Sequence, residues 1–249
     1  MTTLKHVGSG LALVLAPLLA QAGIANSMHD FSHESWNTTR DLCGPCHMAH
    51  GSDVNNQLLP LWGHATTTRT FTPFTSPTVV ANSIAIGQPN GSSKACLSCH
   101  DGSLAVNQYG GAIQGGSPRM INSDYQVGAN GDLSGDHPIS FTYDSTLAAQ
   151  IVPANSLYDP STRVLGAVVS SGNNLAGQTV QAAMLYPDVN NVPKLQCASC
   201  HDVHRQRGDS SFNSDAGSVT GPGHNPLLVI FNLGQDGSGS ALCRACHNK

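Results

Sequence analysis

Apolar positions along this chain are sparse, fall in short runs and rarely keep a period. The longest run, Leu11-Ala12-Leu13-Val14-Leu15-Ala16-Pro17-Leu18-Leu19, follows Lys5 and precedes Ala20-Gln21-Ala22. A basic start, an apolar stretch and a small-x-small site predict a secretory peptide, residues 1–22, cleaved after Ala22. The run is far shorter than the ~20 residues of a membrane span, and no other segment is predicted to cross a bilayer. Further on, Thr78-Val79-Val80-Ala81-Asn82-Ser83-Ile84-Ala85-Ile86 alternates loosely, which suits a short strand or a packed loop. Leu227-Leu228-Val229-Ile230-Phe231 predicts a buried strand. The stretches Leu58 to His64, Val164 to Val169 and Gln181 to Leu185 are apolar patches without a helical period. Thr39-Arg40-Asp41-Leu42 predicts a short helix ending near Gly51. Gly110-Gly111, Gly115-Gly116, Gly128, Gly131 and Gly135 mark turns, and a residue before proline favours extended backbone, so His137, before Pro138, is expected to project from a strand or loop.

Composition makes the sparseness more pointed. Removing the leader from 249 residues leaves 249 − 22 = 227. Charged residues are 10% of the chain, against roughly 25% in ordinary soluble domains. With 26 glycines and 14 prolines, such a chain struggles to offset its ordering entropy by burying side chains alone. The net charge of −4 gives no basic surplus for phosphates, which argues against nucleic acid.

The cysteines supply what is missing. All eight fall in four units: Cys43-Gly44-Pro45-Cys46-His47, Cys96-Leu97-Ser98-Cys99-His100, Cys197-Ala198-Ser199-Cys200-His201 and Cys243-Arg244-Ala245-Cys246-His247. C-x-x-C-H is the attachment pattern of a c-type haem, with two thiols bonded to the porphyrin and the histidine on its iron. Disulfides suit an exported chain, and paired C-x-x-C suits zinc, but neither explains a histidine after every pair. A thioredoxin-like redox pair needs one motif in a βαβ setting. Four covalent haems also provide the apolar surface that the side chains lack. The expected cofactors are therefore four haem c groups on Cys43, Cys46, Cys96, Cys99, Cys197, Cys200, Cys243 and Cys246, with His47, His100, His201 and His247 as proximal iron ligands.

Second ligands decide the chemistry. Outside the motifs the mature chain has His29, His33, His50, His64, His137, His204 and His224, enough to fill four sixth positions. Bis-histidine iron sits at lower potential than Met/His iron and offers no open site for a substrate. His47 and His50 are three apart, which predicts neighbouring faces of one helical turn. Trans ligands approach from opposite sides, so His50 is expected to serve a different haem, and His204 likewise relative to His201. Both units read C-x-x-C-H-x-x-H and each is followed by a plain C-x-x-C-H. This weak repeat predicts one domain, 23–249, of two dihaem halves, about 23–100 and 190–249, joined by a 101–189 insert.

His29-Asp30-Phe31-Ser32, the C-x-x-C-H-x-x-H unit, Leu61-Trp62, Cys96 to Gly102, Asp136 to Phe141 and Cys197 to His204 occur in this order. Together they resemble the multihaem c-type cytochromes of metal-reducing bacteria, and in particular the tetrahaem group that assembles into extracellular filaments. The resemblance spans nearly the whole mature chain. It implies mostly irregular loops, short helices at the motifs, a few short strands and a core of stacked haems. Bis-histidine ligation is implied throughout, with His29, His50, His137 and His204 as distal ligands, His64 in reserve, and His224 and His33 as weaker candidates. The implied role is electron transfer rather than enzymatic turnover, as a homopolymeric conduit at the cell exterior or as a periplasmic shuttle. Partners would be other redox proteins or extracellular acceptors. His29, on an arm outside the haem-bearing body, is the expected ligand to a neighbouring subunit. A multihaem oxyanion reductase is the remaining alternative, disfavoured by surplus histidines and few Lys and Arg.

Overall fold

The computed structural model describes residues 24–25, 27–50, 52, 59, 61–166, 175–188, 190–204, 228–229 and 241–248. The leader, His224, Leu58, the end of the predicted helix near Gly51, half of Val164–Val169 and most of Leu227–Phe231 lie outside these residues.

Helices are short, and three of the six described α-helices carry cysteines; α3 (Ser145–Gln150), capped by Asp144, is among those that do not. α2 (Gly91–His100), α5 (Cys197–Cys200) and α6 (Ala241–Cys246) carry the second, third and fourth motifs. The first motif departs from the expected helix. Cys46 and His47 N–H both donate to Cys43 O, at 3.1 and 2.8 Å, and the turn stops there because His47 pairs in extended form with Trp62. Thr78–Ile86 also departs from a strand or plain loop. Its start is α1 (Pro77–Ala81), with Ser76 Oγ accepting from Val79 N–H and Pro77 in the first turn. A serine cap followed by proline outweighs the strand preference of Val79 and Val80.

Strand structure is slight. β1 (Gln108–Tyr109) and β2 (Ala112–Ile113) form a hairpin. Gly110 and Gly111, both at positive φ of 62° and 78°, make its two-residue turn, which requires left-handed backbone twice. A three-stranded antiparallel sheet has the order β3-β5-β4, from β3 (Phe141–Thr142), β4 (Tyr186–Pro187) and β5 (Pro193–Leu195). Against it pack α4 (Val180–Met184) and the fourth motif, through a buried cluster that includes Phe141, Tyr143, Val180, Leu195, Val229 and Ala245. A smaller cluster of Phe71, Leu97 and Leu133 lies under α2, and Ile139 touches both. The middle of the chain thus builds the core beneath the fourth motif. Tyr158 N–H donates to Cys246 O at 2.8 Å, and Leu157 pairs with His247.

Two buried polar knots fix the second motif. Asp101 accepts from Thr67 Oγ1 at 2.8 Å and Ser103 N–H at 2.7 Å, and Arg69 Nε lies 3.4 Å from its carboxylate. An Asp101→Ala chain leaves these donors without their acceptor and lowers stability by about 3 kcal/mol, read as a shifted chemical denaturation curve. The second knot is Gln196. Its Oε1 accepts from Ser93 at 2.5 Å and Ser140 at 3.0 Å, and its Nε2 donates to Asn90 Oδ1 at 2.8 Å. With Cys197 N–H donating to Ser93 Oγ at 2.9 Å, it locks α5 onto the start of α2.

Candidate haem-binding site

Each motif places its histidine by local backbone geometry. α2 runs through His100. In the other three, His47, His201 and His247 are extended residues paired with Trp62, Leu228 and Leu157. His201 and His204 are therefore not on one helical turn, contrary to the spacing argument. α5 stops at Cys200, and Asp202 Oδ1 turns the chain by accepting from His204 N–H at 2.9 Å.

The second cysteine of every motif is held as a neutral thiol. Burial, aided by neighbouring thiols, pushes Cys46 to about 11, Cys99 to about 12, Cys200 to about 11 and Cys246 to about 12. A thioether sulfur is neutral, which suits buried positions of this kind. The thiols also neighbour one another in motif order. Cys46 adds to the rise at Cys99, the Cys96 thiol hydrogen-bonds to Cys197, and Cys200 adds to the rise at Cys246.

Three motif histidines face a histidine from outside their own motif. Ring centres of His29 and His100 are 6.1 Å apart, those of His47 and His204 5.9 Å, and those of His137 and His247 6.3 Å. Two imidazoles on opposite sides of one first-row metal ion, with bonds of roughly 2 Å, have ring centres about 6 Å apart. Coaxial rings can take any mutual rotation, so the interplanar angles of 43°, 34° and 80° are compatible with that arrangement. Among the described residues no three or more His, Cys, Asp or Glu side chains converge as a bare-ion site would require.

Outer hydrogen bonds prepare several of these rings. His100 Nδ1 donates to Tyr125 O at 2.8 Å and His137 Nδ1 to Pro138 O at 2.9 Å, so Nε2 is the nitrogen each ring has left to bind a metal. His204 Nδ1 lies 3.7 Å from the Asp202 carboxylate. Burial, then the neighbouring His100 and His201, lowers His29 to about 4, so it stays neutral, as a metal ligand must.

The arm behaves differently from expectation. Ile24, Trp36 and Asn37 are buried, and Asn37 Nδ2 donates to Phe31 O at 3.0 Å and Asp41 O at 2.8 Å. These contacts fix the arm's own shape, and Trp36, whose ring meets Tyr109 at 6.2 Å, packs it on the body, with His29 at a motif of its own chain. The reserve candidate, His64, is buried beside the second motif: its Nδ1 lies 2.7 Å from Ala65 O, and its Nε2 3.0 Å from Ala105 O and 3.5 Å from Cys99 Sγ. Burial lowers its pKa, so the ring is neutral and one nitrogen alone donates. His33 is exposed beside Asp30, 3.9 Å away. His50 is exposed, and no described ring faces it.

Buried orphan atoms give an independent test of fit. Among the described residues, His29 Nδ1, Trp62 Nε1, Ser92 Oγ and Arg163 Nε are buried without a hydrogen-bond partner. All stand beside the motifs: His29 at His100, Trp62 at His47, Ser92 four residues before Cys96 on α2, and Arg163 at Arg244. Folded proteins leave few such atoms, so their gathering at the motifs marks surfaces shaped for a further group. Trp62 and Arg163 were not among the expected site residues; the Leu61-Trp62 pair in the resemblance was the one signal for the first. The residues present fit haem: paired cysteines, opposed imidazoles and unfilled donors. The chain matches no protein-family model, and no curated protein is significantly similar to it.

Proposed function

We propose that this chain is an exported electron-transfer protein carrying four c-type haems. The observation that carries the reading is the set of three opposed imidazole pairs, each joining a motif histidine to one from elsewhere. Cys43 and Cys46, Cys96 and Cys99, Cys197 and Cys200, and Cys243 and Cys246 would hold the four groups. His47 with His204, His100 with His29, and His247 with His137 would ligate three irons. For His201 we assign His50, by the repeat: His204 of the third motif faces His47 of the first, and the reverse exchange completes the pair. When bound, haem supplies iron that passes single electrons between ferric and ferrous states. The polypeptide fixes the ligands, keeps their lone pairs free and leaves no exchangeable position.

No described helix is long and apolar enough to cross a membrane. Around the second site the surface is apolar, with Met28, Tyr125 and Val127 exposed by 52%, 38% and 40% beside His29 and His100. Such a patch suits docking of another redox protein or another copy. We propose end-to-end assembly into an extracellular conduit, which few surface charges would oppose. One observation favours the monomeric shuttle instead: His29 faces its own chain, so the intersubunit role expected for it is not required. Imaging of material released from the cell exterior decides between them. Filaments are expected; a monomer by light scattering with all four haems six-coordinate would leave the shuttle.

A further inference from the structure

Trp62 Nε1 and Arg163 Nε are buried atoms without acceptors, and both groups can only donate. Each therefore needs an acceptor that the described residues do not provide. Trp62 is pinned to the first motif. It pairs with His47, its ring stands 6.1 Å from that imidazole at 89°, and the next residue, Gly63, donates N–H to Cys46 O at 2.8 Å. Its other ring neighbour is His64, at 6.1 Å.

Arg163 is pinned to the fourth motif. Its Nη2 donates to Arg244 O at 3.5 Å, and its guanidinium carbon lies 3.9 Å from the centre of the Tyr158 ring. Asp159, Tyr143, Cys246 and Arg244 are the other ionisable groups around it. Among the described residues no carboxylate forms an ion pair with it. A partly buried cation without a counter-ion is costly, which gives Arg163 a second reason to require an acceptor. Haem offers one chemical class that answers both residues: its propionate carboxylates. Four haems would add these to a chain that already has 15 Asp and Glu against 11 Lys and Arg.

We propose that Arg163 and Trp62 bind haem propionates, Arg163 as a charged donor at the fourth motif cluster and Trp62 as a neutral donor at the first. The inference rests on the haem reading above. Beside a haem, the Arg163 cation keeps the carboxylate ionised and favours the reduced, more negative state, so it raises that haem's potential.

The test uses the full, haem-loaded chain and the variants Arg163→Gln, Arg163→Lys and Trp62→Phe. Haem content by pyridine haemochrome comes first, because a wild-type chain without haem defeats the underlying reading rather than this one. Potentiometric titration over a range of pH and redox-difference infrared spectra then test the inference. Arg163→Gln is expected to lower one of the four midpoint potentials. It also moves that haem's protonation step to higher pH, since a carboxylate without its cation binds a proton more readily. Arg163→Lys keeps the charge and holds the midpoint near wild type, while its carboxylate band shifts as the fork is lost. Trp62→Phe shifts a carboxylate band with a smaller change in potential. Four haems retained, with midpoints, pH steps and carboxylate bands unchanged in Arg163→Gln and Trp62→Phe, would overturn the proposal. Should Arg163→Gln not load haem, the carboxylate band of Arg163→Lys decides: a shift supports the inference and an unchanged band defeats it.

Discussion

Replacing His204 with alanine is expected to open one iron of four, and that iron belongs to Cys43 and Cys46 rather than to His204's own motif. The expectation follows from the 5.9 Å separation of His204 and His47. In the haem-loaded protein, one quarter of the haem should turn high-spin and bind carbon monoxide when reduced. Adding His47→Ala should vacate no second iron, because both rings serve the same one. Two independent carbon monoxide sites in the double variant, or four low-spin haems in His204→Ala, would contradict the pairing.

Replacing Gln196 with leucine is expected to cost about 3–5 kcal/mol, since the Ser93 and Ser140 hydroxyls and Asn90 Oδ1 lose buried partners at once. Its consequence for function is distinct from its cost. Gln196 and Ser93 hold α5 against α2 and place the Cys96 and Cys197 thiols in contact. Loosening them should separate the second and third haem positions while every cysteine and histidine remains. Chemical denaturation followed by circular dichroism gives the stability, and rapid-reduction kinetics the coupling. A change below about 1 kcal/mol would show that the network is not a buried hub.

How much of this was legible in the sequence depends on the range of the contact involved. The motifs are local, so the candidate haem-bearing residues could be read directly, as could the Gly110-Gly111 turn. Ser76-Pro77 was an equally local signal for α1, obscured by two valines that favour strands. Ligand pairing is another matter. His204 reaches His47, and His137 reaches His247, through tertiary packing that no spacing rule encodes. His29 was placed outside the body because it lies on the arm before the first motif; Trp36, meeting Tyr109 at 6.2 Å, folds that arm back in a contact far along the chain. The surroundings of His64 were equally hidden, because the Ala105 carbonyl and the Cys99 sulfur beside its Nε2 lie far along the chain.

The central claim is that four haems are bound covalently through these eight cysteines. Intact-mass measurement of the exported protein under denaturing conditions tests it most directly. The account predicts the mass of the chain after Ala22 plus four haems, retained without non-covalent contacts. A mass equal to the polypeptide alone, or to the polypeptide with disulfides, would contradict it.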